Sequence, residues 1–96
     1  MLIKARFFAH LRNIAGTREL EVNTQSDQVD VQGLMHLLFE KLGKDFEKAV
    51  LNPETGKIRP YIRIMVNGID TEQLNGLETA VKDGDTVQIF PPIGGG

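Results

Sequence analysis

The chain has 96 residues, 41% of them hydrophobic, with 11 Lys and Arg against 13 Asp and Glu and no cysteine. A net charge of −2 supplies no basic stripe for a phosphate backbone. The lack of cysteine removes disulfides, thiolate metal sites, iron–sulfur clusters and cysteine nucleophiles.

One domain of this size buries roughly 65% of its unfolded surface, enough for a single modest core. No apolar stretch reaches the ~18 residues of a membrane span. The opening residues, Met1-Leu2-Ile3-Lys4-Ala5-Arg6, carry charge and no signal-peptide run. A cytoplasmic protein without a membrane or nucleic-acid partner is expected.

Residues 2–9 alternate, with Ile3, Ala5, Phe7 and Ala9 on one face and Leu2, Lys4, Arg6 and Phe8 on the other. Period two predicts a strand with one buried face. Residues 10–16 read as a turn ending at Gly16. Residues 17–23 alternate again, with Leu20 and Val22 inward, so the two runs predict a hairpin with a long loop.

The period then changes. Asp30 is placed to cap a helix, and Val31, Leu34, Met35, Leu38 and Leu42 follow on one stripe, widened by Leu37 and Phe39. Gly43 is a left-handed stop. Gly33, in the first turn, costs up to about 1 kcal/mol against alanine, so this helix leans on its packing. Residues 45–51 predict one more short helical turn. Asn52–Gly56 is a turn by composition, and Pro60 marks the next boundary.

Residues 61–66 predict a strand with Ile62, Ile64 and Val66 inward and Tyr61, Arg63 and Met65 outward. Asn67-Gly68 is a hairpin turn signal. Residues 69–82 are mixed, anchored by Leu74, Leu77 and Val81. After the turn at Asp83-Gly84-Asp85, residues 86–90 form the last strand, with Val87 and Ile89 inward and Gln88 and Phe90 outward. The order ββαββ predicts an α+β domain over residues 1–90, a mixed sheet of four to five strands with one main helix across one face. Residues 91–96 predict a flexible C-terminal tail. By analogy of fold this is the ubiquitin-like β-grasp, whose first and last strands lie parallel at the centre.

Few side chains suggest chemistry of their own. His10 and His36 have no second ligand at metal spacing, and Glu40, Asp45 and Glu47 make no fixed pair, so no metal site and no catalytic residue is expected. There is no Gly-rich phosphate loop followed by Lys and Ser/Thr and no GxGxxG, so the chain binds no nucleotide by itself. What stands out is the ending, Pro91-Pro92-Ile93-Gly94-Gly95-Gly96. Prolines hold φ near −65° and stiffen the exit from the last strand. Glycines lack Cβ and fit a narrow channel. Six residues reach about 20 Å at ~3.3 Å each.

These residues carry a resemblance. Phe7-Phe8-Ala9 with Leu11-Arg12 and Ala15-Gly16, Val66-Asn67-Gly68, and Lys82-Asp83-Gly84-Asp85 through Phe90-Pro91-Pro92 to the terminal glycines resemble the β-grasp sulfur carriers. That family includes the molybdopterin synthase small subunit, the thiazole-pathway sulfur carrier and the archaeal small modifiers. Gly94 departs from the family, where another small or polar residue is frequent before the diglycine.

The resemblance implies a carrier rather than an enzyme. A ubiquitin-activating-type partner would use ATP to adenylate the Gly96 carboxylate. The adenylate would become a thiocarboxylate, delivered for instance to the molybdopterin synthase large subunit. In the modifier branch it would pass to a target-protein lysine as an isopeptide. A non-covalent binding module is the third reading.

Ordering a glycine tail costs roughly 1–2 kcal/mol per residue, so a docking surface is needed beside it. Phe8, Met65 and Phe90 point outward and predict an apolar patch, rimmed with positive charge by Lys4, Arg6 and Arg63. The competing reading is that Phe8 and Phe90 are covered by a loop or are isolated surface aromatics.

Overall fold

Two strands from opposite ends of the sequence lie side by side at the centre of the molecule. A computed structural model describes residues 1–91; Pro92, Ile93 and the predicted tail glycines Gly94, Gly95 and Gly96 lie outside the described residues. Strand β1 (Leu2–Phe7) is followed by helix α1 (His10–Ala15) and strand β2 (Glu19–Asn23). Next come β3 (Val29–Asp30), α2 (Val31–Leu42), α3 (Lys44–Val50), β4 (Leu51–Asn52) and β5 (Lys57–Ile58). Then β6 (Arg63–Val66), β7 (Ile69–Asp70), two 3₁₀ turns (Thr71–Gln73 and Gly76–Glu78), β8 (Ala80–Val81) and β9 (Thr86–Phe90) complete the described chain.

The main sheet has the order β2-β1-β9-β6-β7. Strand β1 runs antiparallel to β2 and parallel to β9; β9 runs antiparallel to β6, and β6 to β7. This is the mixed five-stranded sheet of an α+β, ubiquitin-like β-grasp fold. The alternation of β1 is realised as buried Ile3, Ala5 and Phe7 between exposed Leu2, Lys4 and Arg6. Helix α2 lays Val31, Leu34, Met35, Leu38 and Phe39 into the same core. Phe46 of α3 joins them and meets Phe7 edge-on at 5.4 Å.

The helix starts as its sequence predicts. Asp30 Oδ1 accepts a hydrogen bond from the Gly33 amide at 2.8 Å. A Cβ at position 33 would stand 3.3 Å from that same oxygen, so a larger residue there would require the capping carboxylate to shift by a few tenths of an ångström. Gly43 ends the helix with φ 96° and ψ −175°, a positive φ but not the left-handed helical stop expected. Asn67 and Gly68 both have positive φ, 52° and 83°, the backbone of the β6–β7 hairpin turn.

Several expectations are corrected. Residues 10–16 are not a plain turn: His10–Ala15 is a helix that buries Leu11 and stops at Gly16 in the left-handed conformation. A helix so short shows no repeat of its apolar stripe, so periodicity cannot reveal it. Ala9, expected inward, is exposed, because the strand ends at Phe7 and the Ala9 backbone turns at φ 53°. Leu74 is exposed and anchors nothing, while Leu77 and Val81 do pack on the core. The ribbons β3–β8 and β4–β5 are two residues per strand, too short to leave an alternation.

Candidate functional site

The outward face of the main sheet is set by register. One transverse row runs Glu19, Arg6, Gln88, Met65, Asp70, each residue directly opposite the next on the adjoining strand. The following row, nearer the end of β9, holds Phe90 with Arg63 opposite it. Phe8, one residue beyond β1, lies against Phe90, the two rings stacked at 4.2 Å between centroids and 14° between planes. The Arg6 guanidinium sits over Phe8 at 5.8 Å from its centroid.

Phe8, Phe90 and Met65 are each half-buried, and all three stand on the predicted face. The rings of Phe8 and Phe90 stack, and Met65 is the diagonal neighbour of Phe90 across the β6–β9 pair. Gln88 fills the place between Met65 and Arg6. The Gln88 side chain is itself tied down, its Oε1 accepting from the Gly68 amide at 3.1 Å. The patch is therefore an aromatic pair with a methionine to one side, on the strand that runs directly into Pro91.

The positive rim is not realised as expected. Lys4 and Arg6 both reach Glu19, at 3.8 and 3.7 Å. With side chains 40–49% exposed, such pairs are worth well under about 1 kcal/mol each, yet they cancel charge locally. Arg63 is held more firmly. Its Nη2 lies 2.7 Å from Asp70 Oδ2 and its Nη1 3.6 Å from Glu72 Oε2. Asp70 Oδ2 is buried without any well-angled hydrogen bond, so this ion pair is its main compensation. Asp70 Oδ1 meanwhile accepts from the Glu72 amide at 2.9 Å. Arg63 thus has a structural task that the sequence did not signal, because its partner Asp70 stands opposite Met65 and is reached only diagonally across the β6–β7 pair.

Pro91 is buried, so the ordered body continues through it. Proline has no N–H to donate, which closes the ladder at Phe90. The predicted attachment residue Gly96 and its neighbours Gly95, Gly94 and Pro92 lie outside the described residues. His36 is exposed and meets Phe39 edge-on at 6.1 Å. Among the described residues no three His, Asp or Glu side chains gather as a metal site, and no helix is long and apolar enough to cross a membrane.

The model of the ThiS family matches residues 5–96. A putative sulfur carrier protein of Archaeoglobus fulgidus is 36% identical over 96 residues, 100% of each chain. Small archaeal modifier protein 3 of Haloferax volcanii is 32% identical, again over 100% of each chain. Among solved structures, a putative molybdopterin converting factor, subunit 1, from Pyrococcus furiosus has a TM-score of 0.74 at 26% identity, covering 97% of this chain and 99% of that one.

Proposed function

The chain belongs to the ThiS family, and from that premise we propose that it is a sulfur carrier whose working group is the carboxylate of Gly96. A carboxylate resists nucleophilic attack because of its own charge. An adenylating enzyme of the ubiquitin-activating type would bring ATP; a Gly96 oxygen attacks the α-phosphorus and pyrophosphate leaves. A sulfur donor then displaces AMP and leaves a thiocarboxylate. The chain itself supplies reach, a slim tail and a surface to hold, and takes part as a co-substrate or small subunit.

The observation that carries this reading is the 36% identity to the putative sulfur carrier protein of Archaeoglobus along 100% of both chains. The molybdopterin synthase large subunit is the proposed receiver, a reading supported by the likeness to the Pyrococcus protein. The Phe8–Phe90 pair, with Met65 and Arg63 beside it, is the proposed docking surface for the adenylating enzyme. It is apolar, it is half-exposed, and it leads straight into the tail.

The test is intact-mass measurement after incubation with the cognate activating enzyme, ATP and a sulfur donor. The expected product carries the mass gain of exchanging oxygen for sulfur, and one residue added after Gly96 abolishes it. No such product with an active enzyme overturns the carrier reading.

A second reading is conjugation to lysines by an isopeptide bond through the same glycine, favoured by the full-length relationship to the Haloferax modifier. A tagged copy in its host separates the two. A ladder of conjugates that vanishes on deletion of Gly95 and Gly96 supports the modifier; free protein alone supports the pure carrier.

A further inference from the structure

The sequence contains two Asn-Gly pairs, Asn67-Gly68 and Asn75-Gly76. This dipeptide is chemically labile. The glycine amide nitrogen, with no Cβ on its residue to block the approach, attacks the asparagine side-chain carbon. A bond forms from that nitrogen to Cγ, the Cγ–Nδ2 bond breaks, and the side-chain nitrogen leaves as ammonia with the amide proton. Water reopens the resulting succinimide to aspartate or isoaspartate. The sum is one water consumed and one ammonia released, with no oxidant or cofactor. The reaction needs a side chain free to swing and a glycine N–H free to be deprotonated.

The fold treats the two pairs oppositely. Asn67 Nδ2 donates to Asp85 Oδ1 at 3.0 Å, and Asn67 Oδ1 accepts from the Thr86 amide at 2.9 Å. The Gly68 amide donates to Gln88 Oε1 at 3.1 Å. Both reacting groups are therefore engaged, and Asn67 N is tied to Thr86 O at 2.8 Å as well. Asn75 is exposed between the two 3₁₀ turns. Its backbone is fixed, N donating to Thr79 Oγ1 and O accepting from Glu78 N, both at 3.1 Å. Among the described residues, however, no hydrogen bond holds the Asn75 side chain or the Gly76 amide. Asn52 has proline as its neighbour, which offers no N–H to attack.

We infer that Asn75 is a site of spontaneous deamidation in the folded protein and that the Asp85–Thr86–Gln88 contacts protect Asn67 from the same reaction. The product places a new carboxylate between Glu72 and Glu78 and takes the formal charge from −2 to −3. In the isoaspartyl form it also lengthens by one methylene the backbone of the turn that carries Leu77 to the core.

The experiment ages the full chain at mildly alkaline pH, folded and in guanidinium chloride, and maps the sites by mass spectrometry. Both asparagines fall in the tryptic peptide between Arg63 and Lys82, so its fragment ions assign each event. In the folded protein Asn67 should react at least about tenfold more slowly than Asn75, since its release requires breaking hydrogen bonds of about that strength. In denaturant the two rates should converge, and Asn75→Gln should remove the fast event. Equal rates in the folded protein, no reaction at Asn75 over the time in which the denatured chain reacts, or an unchanged rate ratio in denaturant would each overturn the inference.

Discussion

Arg63 shows how one residue on this face serves two ends. Its guanidinium compensates the buried Asp70 Oδ2 at 2.7 Å while its strand position puts it opposite Phe90. Arg63→Ala should therefore lower stability by about 1–3 kcal/mol, the cost of leaving a buried acceptor unpaired, as read by chemical denaturation. Phe90 is the cleaner probe of docking. Its stack with Phe8 adds about 0.5–1.5 kcal/mol beyond area burial, and a half-buried ring contributes less than the ~1.5–3 kcal/mol of a fully buried one, a sum below the ~5–15 kcal/mol of a typical domain, so Phe90→Asp should stay folded by circular dichroism. The same change should weaken adenylation by the activating enzyme at least about tenfold, as expected where an aromatic anchor is lost. Unchanged adenylation by that variant would remove the Phe8–Phe90 pair from the docking surface. In the tail, Gly94→Ala should slow thiocarboxylate formation less than Gly95→Ala, because Gly95 directly adjoins the reacting carboxylate; equal losses would contradict that order.

At the scale of elements, local chemistry and packing divide the work. Helix α2 has its start written in Asp30, whose carboxylate accepts the Gly33 amide. Asp30→Ala should cost about 1 kcal/mol in thermal or chemical unfolding, the usual worth of such a cap. The apolar stripe of α2 and the alternation of β1, β2, β6 and β9 were legible because each repeats over several residues. Helix α1 and the β3–β8 and β4–β5 ribbons were not, since they are shorter than the periods that would announce them. They are held by neighbours instead: Leu11 is drawn into the core, and the Val31 amide donates to Thr79 O where α2 leaves β3. The Asn67-Gly68 turn lies between these cases. Its dipeptide was readable, whereas its tie to Asp85 and Thr86 needed the β6–β9 register.

For the whole molecule, the decisive feature is that the first and last strands are central neighbours. The start of β1 is also clipped to the turn before β9, with Leu2 N donating to Asp83 Oδ1 at 2.7 Å and Gly84 N to Leu2 O at 2.8 Å. Removing residues 86–96 deletes a central strand with the fully buried Val87 and Ile89. That loss should exceed the ~5–15 kcal/mol of a typical domain and leave the chain unfolded by circular dichroism. Removing residues 92–96 should leave the far-ultraviolet spectrum and the melting temperature nearly unchanged while abolishing thiocarboxylate formation. A large drop in melting temperature in the second variant would show that the tail belongs to the folded body.

The sequence by itself determined the strands that alternate, the main helix with its cap, the α+β class and the Pro-Pro-Ile-Gly-Gly-Gly ending. Each of these is local: a period, a dipeptide or a capping residue acts within a few positions of itself. Tertiary structure alone decided what stands beside what. It stacked Phe8 on Phe90 and set Met65 diagonally from Phe90 across the β6–β9 pair. It also turned Lys4, Arg6 and Arg63 from a free positive rim into partners of Glu19, Asp70 and Glu72. Register across strands far apart in sequence is fixed by the shared core and leaves no mark in any one segment, so charge on an outward face can be counted from sequence but not balanced from it.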